Sequence, residues 1–329
     1  MRAVVVRIAL SLVCISALTA SACTSGGADA GDGDGDGDGD GDGDDAGVVD
    51  AGLDFTPDPA CDKGTWVVTL DGDLSFVDET PVEGAFIQVC VRVVGGIFVC
   101  LPPVESDDDG SFYRVVPETA RCFGEATTRV LHRDSQSPTS YCALELVAPG
   151  AQLVVPDITL FPTTAPAARP PVGDASAPRA VALSPDLELT IVPELLIPVD
   201  ADPETYDKLS VVEVAGDAPG FCGPRELVNA NGIAVPFEGT FDRVFGFFPE
   251  TDISGRFDLS IANVDGHAPG TVVQLYVLGG LATTMGFDTI QEGKWVLFGE
   301  GTVSVDGARI VATGDDGVPT LTWLGVRSP

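Results

Sequence analysis

The sequence predicts an all-β protein: two antiparallel β-sandwich domains behind a signal peptide and a disordered Gly-Asp tether. Three observations carry this expectation. Beyond Cys61, short runs rich in Val, Ile, Phe and Leu alternate with Gly, Pro and Asp clusters, as many short antiparallel strands do. A Pro/Ala-rich stretch splits those runs into two blocks. Ahead of them, Gly31–Asp44 alternates Gly and Asp seven times with nothing apolar to bury, so it cannot fold by itself. The implied order is a leader at 1–22, a tether at 23–60, a first sandwich at 61–161, a linker at 162–186 and a second sandwich at 187–329.

The leader comes first. Arg2 and Arg7 are the only charges in the first 28 residues. Ile8–Ala20 is apolar apart from Ser11, Ser16 and Thr19, and small residues then lead into Cys23, the layout of a cleaved export signal. Only 15 residues separate Arg7 from Cys23, short of the roughly 20 that a spanning helix needs. Ala20-Ser21-Ala22-Cys23 resembles the lipobox of bacterial lipoproteins, with Ala20 where the family usually has Leu. The resemblance implies diacylglycerol on the Cys23 sulfur, cleavage before Cys23 and a fatty acyl chain such as palmitate on the new amino terminus. Several chains are needed because each buried CH₂ contributes only about 0.8 kcal/mol. The membrane is therefore one expected partner, through the lipid on Cys23. Thr24 stands where an inner-membrane retention aspartate would be, which points to the outer membrane of the cell envelope.

Charge narrows the remaining partners. The net charge is −33, from 50 acidic and 17 basic residues. Such a field repels nucleic acid and anionic head groups, leaving an envelope or extracellular partner of unknown kind. A Gly-Asp run also suggests calcium, but calcium β-rolls stack an apolar residue in each turn, and here there is none. As a solvated coil, residues 24–60 would span roughly 30–35 Å.

Of eight cysteines, Cys14 leaves with the leader and Cys23 takes lipid. Cys61, Cys90, Cys100, Cys122, Cys142 and Cys222 remain, an even set that in an exported chain favours disulfides. Their pairing stays open among 15 possibilities. No Cys-x-x-Cys pair is present, and His132 and His267 are not spaced as zinc ligands.

In the first block the expected strands are 65–70, 85–94, 97–101, 112–116, 127–132 and 153–160, with one helical turn at 117–120. In the second they are 187–192, 209–214, 240–248, 256–262, 271–278, 294–298, 301–305, 309–312 and 320–326. A seven-residue pattern recurs: Ser106-Asp107-Asp108-Asp109-Gly110-Ser111-Phe112 and Thr251-Asp252-Ile253-Ser254-Gly255-Arg256-Phe257. It reads as a turn whose Asp or Ser bonds backbone amides, whose Gly takes positive φ and whose Phe opens a strand facing inward. With Pro81-Val82-Glu83-Gly84-Ala85 upstream, residues 62–160 resemble the carboxypeptidase regulatory-like, transthyretin-like β-sandwich. That resemblance implies a fold and no activity. In the second block only the turn matches.

Catalytic chemistry is hard to place. His132 and His267 lack a Gly-x-Ser-x-Gly neighbour, and the chain has no Gly-rich phosphate loop between strand and helix. Trp66, Trp295 and Trp323 stand singly in strand-like runs and read as core. No cofactor is expected. Calcium is the ligand the acids would best suit, at Asp107, Asp108 and Asp109 or at Asp200, Asp202, Glu204 and Asp207; solvated acidic turns are the plainer reading. The function expected is non-enzymatic display, binding or structure. The alternative is a secreted hydrolase, glycoside-acting for example, with an unrecognised carboxylate pair.

Overall fold

Period-two alternation puts Ile87, Val89 and Val91 on one face of a strand and Phe86, Gln88 and Cys90 on the other. In the computed structural model, Phe86–Val93 forms such a strand, with the first set in the core. The structure describes residues 52–329 except 97, 147–150, 165, 167, 168, 170–172, 199–207, 230, 282, 286, 287 and 329. The leader, Cys14, Cys23 and the Gly-Asp run lie outside the described residues, as do Asp200, Asp202, Glu204 and Asp207. The fold is all-β; among the described residues there are 3-10 turns but no α-helix, and no helix is long and apolar enough to cross a membrane.

The first block is a sandwich of two sheets around one core. One sheet runs Thr65–Trp66, Cys122–Leu131, Phe86–Val93, Phe98–Cys100, with Ser140–Ala143 and Val104–Glu105 added at its margins. The other joins Ile158–Leu160, Thr69–Phe76 and Ser111–Val115, with Gln152–Val154 beside Thr69–Phe76. Both faces feed one apolar cluster, including Leu70, Phe112 and Ile158 from one sheet and Ile87, Phe123 and Val130 from the other.

The second block is a hydrogen-bonded sheet of 11 strands around its own core. Its spine is the 20-residue strand Arg243–Ala262. Pairings run from this spine to Val318–Arg327, Val272–Leu278, Trp295–Val303 and Arg309–Ala312, then back to the spine, closing a circuit. A closed circuit removes free edges. Arg243, only 4% exposed, bonds Glu213 through two nitrogens at 2.6 and 2.7 Å and the Ala262 carbonyl at 2.6 Å.

Two segments differ from expectation. Arg179–Ala182, within the stretch expected to be a linker, is a strand paired with Leu187–Ile191, and Val181 is buried in the second core. Its alternation of Val between polar and small residues outweighs the Pro/Ala composition around it. The turn expected at Thr251–Phe257 is instead strand interior, bulged against Val318–Arg327.

Gly52–Pro329 forms one compact unit. A third apolar cluster spans the blocks: Tyr141 and Phe161 from the first meet Val244, Leu278, Trp295 and Trp323 from the second. The Trp323 indole donates to the Thr139 carbonyl at 2.8 Å. Cys142 and Cys222 join the same blocks covalently.

Candidate functional site

The outward face of the first sandwich carries the chemistry. Register places Gln88 opposite Arg129 and Arg129 opposite Tyr141, forming a polar row across three strands. Phe86 pairs with Leu131 one step along. This face is covered by the second block, and between them lies a cleft of about 330 Å³ lined by Phe86, Gln88, Arg129, Tyr141, Glu250 and Leu281, among others.

Glu250 enters from the bulged spine and is almost fully buried. One carboxylate oxygen accepts the Tyr141 hydroxyl at 2.6 Å, and the other accepts the Leu281 amide at 2.9 Å. Burial raises the Glu250 pKa above the usual glutamate value, against the opposing pull of those donors and of Arg129. Burial, then the Glu250 charge, holds the Tyr141 hydroxyl well above its usual pKa. Glu292 is likewise raised, by burial first; Arg129 lowers it and Glu250 raises it. Arg129 Nη2 donates to Gln88 Oε1, while Nη1 lies 3.9 Å from Glu292 and has no hydrogen-bond partner. The arrangement can hold a small ligand between apolar walls and a guanidinium.

The six cysteines from Cys61 onward pair as Cys61–Cys122, Cys90–Cys100 and Cys142–Cys222. Cys90 and Cys100 stand directly opposite each other in neighbouring strands. Asp107, Asp108 and Asp109 do not assemble as ligands. Asp109 accepts the Ser111 amide at 2.9 Å, and the Ser111 hydroxyl first, then this amide, lowers its pKa. Among the described residues, the grouping of three possible metal ligands is Cys90, Cys100 and Glu292, and its two sulfurs are joined in a disulfide.

Both histidines bond serine hydroxyls. His132 Nδ1 is 2.9 Å from Ser135 Oγ, and His267 Nε2 is 3.3 Å from Ser328 Oγ, which itself donates to Asp242 at 2.6 Å. In the second set the carboxylate holds the serine, whereas a catalytic triad needs it on the histidine. Trp295 and Trp323 are core, but Trp66 is only half-buried, with the Arg121 guanidinium 6.0 Å from its ring.

Sequence reasoning missed Glu250, Glu292, Arg129 and Tyr141. Acids are too numerous here for one to stand out. A signal did exist in the outward positions 86, 88, 129, 131, 139 and 141, whose mixture of aromatic, aliphatic and polar residues is unlike a fully solvated face.

No family model and no curated protein sequence matches the chain. Among solved structures, a shaft pilin, SpaA, from Lactobacillus rhamnosus GG is similar over 59% of this chain and 87% of its own, at 9% identity and TM-score 0.23. BcpA, the major pilin subunit of Bacillus cereus, covers 77% and 85%, at 10% identity and TM-score 0.21. A 9R-lipoxygenase from Cyanothece covers 37% of this chain, which spans 20% of that enzyme, at 19% identity and TM-score 0.22. Likenesses of this size carry no argument about function.

Proposed function

We propose that this chain is a lipoprotein of the bacterial cell envelope, anchored through lipid on Cys23, with a non-enzymatic display, binding or structural role. On this reading the Gly-Asp tether carries the β-blocks away from an outer-membrane surface, and the first block is a transthyretin-like module. The observation that carries the reading is the pairing of all six cysteines beyond position 60 into disulfides, which suits an oxidising, exported setting. Ala20-Ser21-Ala22-Cys23 supplies the anchor. Labelled palmitate should enter the wild-type protein and not Cys23→Ala, and fractionation should place the wild type with the outer membrane. Equal labelling of both would overturn the proposal.

One observation favours the hydrolase alternative. Glu250 is buried and Glu292 half-buried, burial and then the Glu250 charge raise the Glu292 pKa, and Glu250 lines the cleft, as carboxyls in glycosidases do. Turnover of a glycoside panel, abolished by both Glu250→Gln and Glu292→Gln, would establish it. Absence of turnover across ester, peptide, phosphate and glycoside panels supports the non-enzymatic reading.

A further inference from the structure

We propose that Asn231 is a site of spontaneous deamidation, closing on the Gly232 nitrogen to a succinimide, and that the Asn229 side chain holds the turn against that closure. The proposal stands apart from the anchoring reading and concerns an exposed edge of the second block.

Asparagine is among the chemically labile residues, and the chain has three, at 229, 231 and 263. Asn231 alone is followed by glycine. It is exposed in the loop between the paired strands Glu226–Val228 and Ala234–Pro236. Its side-chain amide has no hydrogen-bond partner among the described residues. Gly232, at φ +73°, has open space where a Cβ would stand, so nothing shields its nitrogen from the neighbouring side chain. Asn263 is the opposite case. Its Nδ2 donates to the His267 and Gly307 carbonyls at 2.8 Å, its Oδ1 accepts the His267 amide at 3.0 Å, and β-branched Val264 follows it.

The loop also carries a brake. The Gly232 amide donates to the Asn229 carbonyl at 2.9 Å, which keeps the attacking nitrogen occupied. Asn229 Oδ1 accepts the amides of Asn231 at 2.9 Å and Ile233 at 3.1 Å, tying both sides of Gly232 to one side chain. Reaction therefore waits on local opening, which is easiest at an exposed loop.

The chemistry needs only water. The Gly232 nitrogen bonds to Asn231 Cγ, the Cγ–Nδ2 bond breaks, and ammonia leaves with the proton that the Gly232 nitrogen gives up. Water then opens the ring at one of its two carbonyl carbons. One opening leaves aspartate; the other leaves isoaspartate, with an extra carbon in the main chain. Either product adds a negative charge. Isoaspartate also lengthens the chain between the two amides that Asn229 holds, so the hairpin loses its register there.

The test ages the full chain in warm neutral buffer with nonionic detergent and maps its peptides by mass spectrometry. Asn231 should gain the mass of amide-to-acid exchange and resolve into aspartate and isoaspartate forms. Asn263 should react at least about tenfold more slowly, because its bonds must open first. Asn231→Gln should abolish the change at that position. Asn229→Ala should speed the reaction at Asn231 at least about twofold, the modest net effect of losing hydrogen bonds at an exposed turn. Asn229→Asp keeps the acceptor oxygen and should restore the wild-type rate. A thermal melt checks that Asn229→Ala folds; if it does not, the wild type in denaturant takes its place and should react faster than the folded chain. The proposal is overturned if Asn231 reacts no faster than Asn263, or if aspartate forms without isoaspartate. It is equally overturned if the rate is unchanged or lower in folded Asn229→Ala, or in the denatured wild type.

Discussion

Ser106–Phe112 and Thr251–Phe257 share a pattern, yet one turns and the other runs straight. In the first block Gly110 has φ +83° and its amide donates to the Asp107 carbonyl at 3.0 Å. Asp109 caps the Ser111 amide, and the strand Ser111–Val115 begins. In the second block the same spacing lies inside Arg243–Ala262. It is paired with Leu196–Pro198 on one edge and with Thr320 and Leu321 on the other. Two flanking strands supply backbone partners that a lone turn lacks, so tertiary pairing overrides the local preference. What survives in both is the aromatic anchor: Phe112 and Phe257 are each buried in a core.

That comparison can be broken most forcefully at the shared aromatic. Phe112→Ala and Phe257→Ala should each destabilise the fold by about 3–5 kcal/mol, read from denaturant midpoints. A loss under about 1 kcal/mol at either site would mean that the two Phe residues do different jobs.

The glycines should then separate the two contexts. An alanine Cβ at Gly110 would overlap the Leu74 carbonyl oxygen and force positive φ on a non-glycine, a cost on the order of 1–3 kcal/mol. At Gly255 the nearest atom is Leu195 Cδ1 at 3.2 Å, the end of a flexible side chain. Gly255→Ala should therefore lie within about 0.5 kcal/mol of the wild type or stabilise slightly. Equal losses at both positions would mean that the second segment also needs glycine geometry.

A glutamate precedes each pattern. Glu105 is exposed, whereas Glu250 is buried against Tyr141 and Leu281, near Arg129 and Glu292. Because the folded-state pKa of Glu250 is raised, its favourable contribution is complete below the unfolded glutamate pKa. It is lost as pH rises through the folded one. Melting curves of wild type and Glu250→Gln, taken across pH, should diverge in favour of the variant as pH rises past the ordinary glutamate range. Divergence in the opposite sense would mean that hydrogen bonding to the carboxylate outweighs burial.

The smallest effect is expected where a repeat has no anchor at all. Deleting Gly31–Asp44 should shift the melting temperature by less than about 5 °C, since the repeat brings no apolar side chain. A larger fall, seen by calorimetry, would give the repeat a structural role and call for a calcium titration.

Much of the strand inventory was legible because period-two alternation reports burial directly. Expected 85–94, 187–192 and 309–312 match Phe86–Val93, Leu187–Ile191 and Arg309–Ala312. The 117–120 turn is the 3-10 helix Glu118–Ala120. Expected 240–248 and 256–262 are one continuous strand, because the Thr251–Phe257 pattern that reads as a turn is carried within it by bulges. The same misreading hid Glu250, which stands in that gap. The cleft was hidden for a second reason: it needs the outward face of one block set against another, and local periodicity does not specify that contact.

The Cys142–Cys222 bridge gives the molecule a covalent topology that the hydrogen-bond pattern does not. With a sequence separation of 80 residues, it closes a ring through the end of the first block, the connecting chain and the start of the second. Any single proteolytic cut between those cysteines opens the ring without releasing either fragment. A nicked molecule would migrate as one species until reductant is added and as two afterwards.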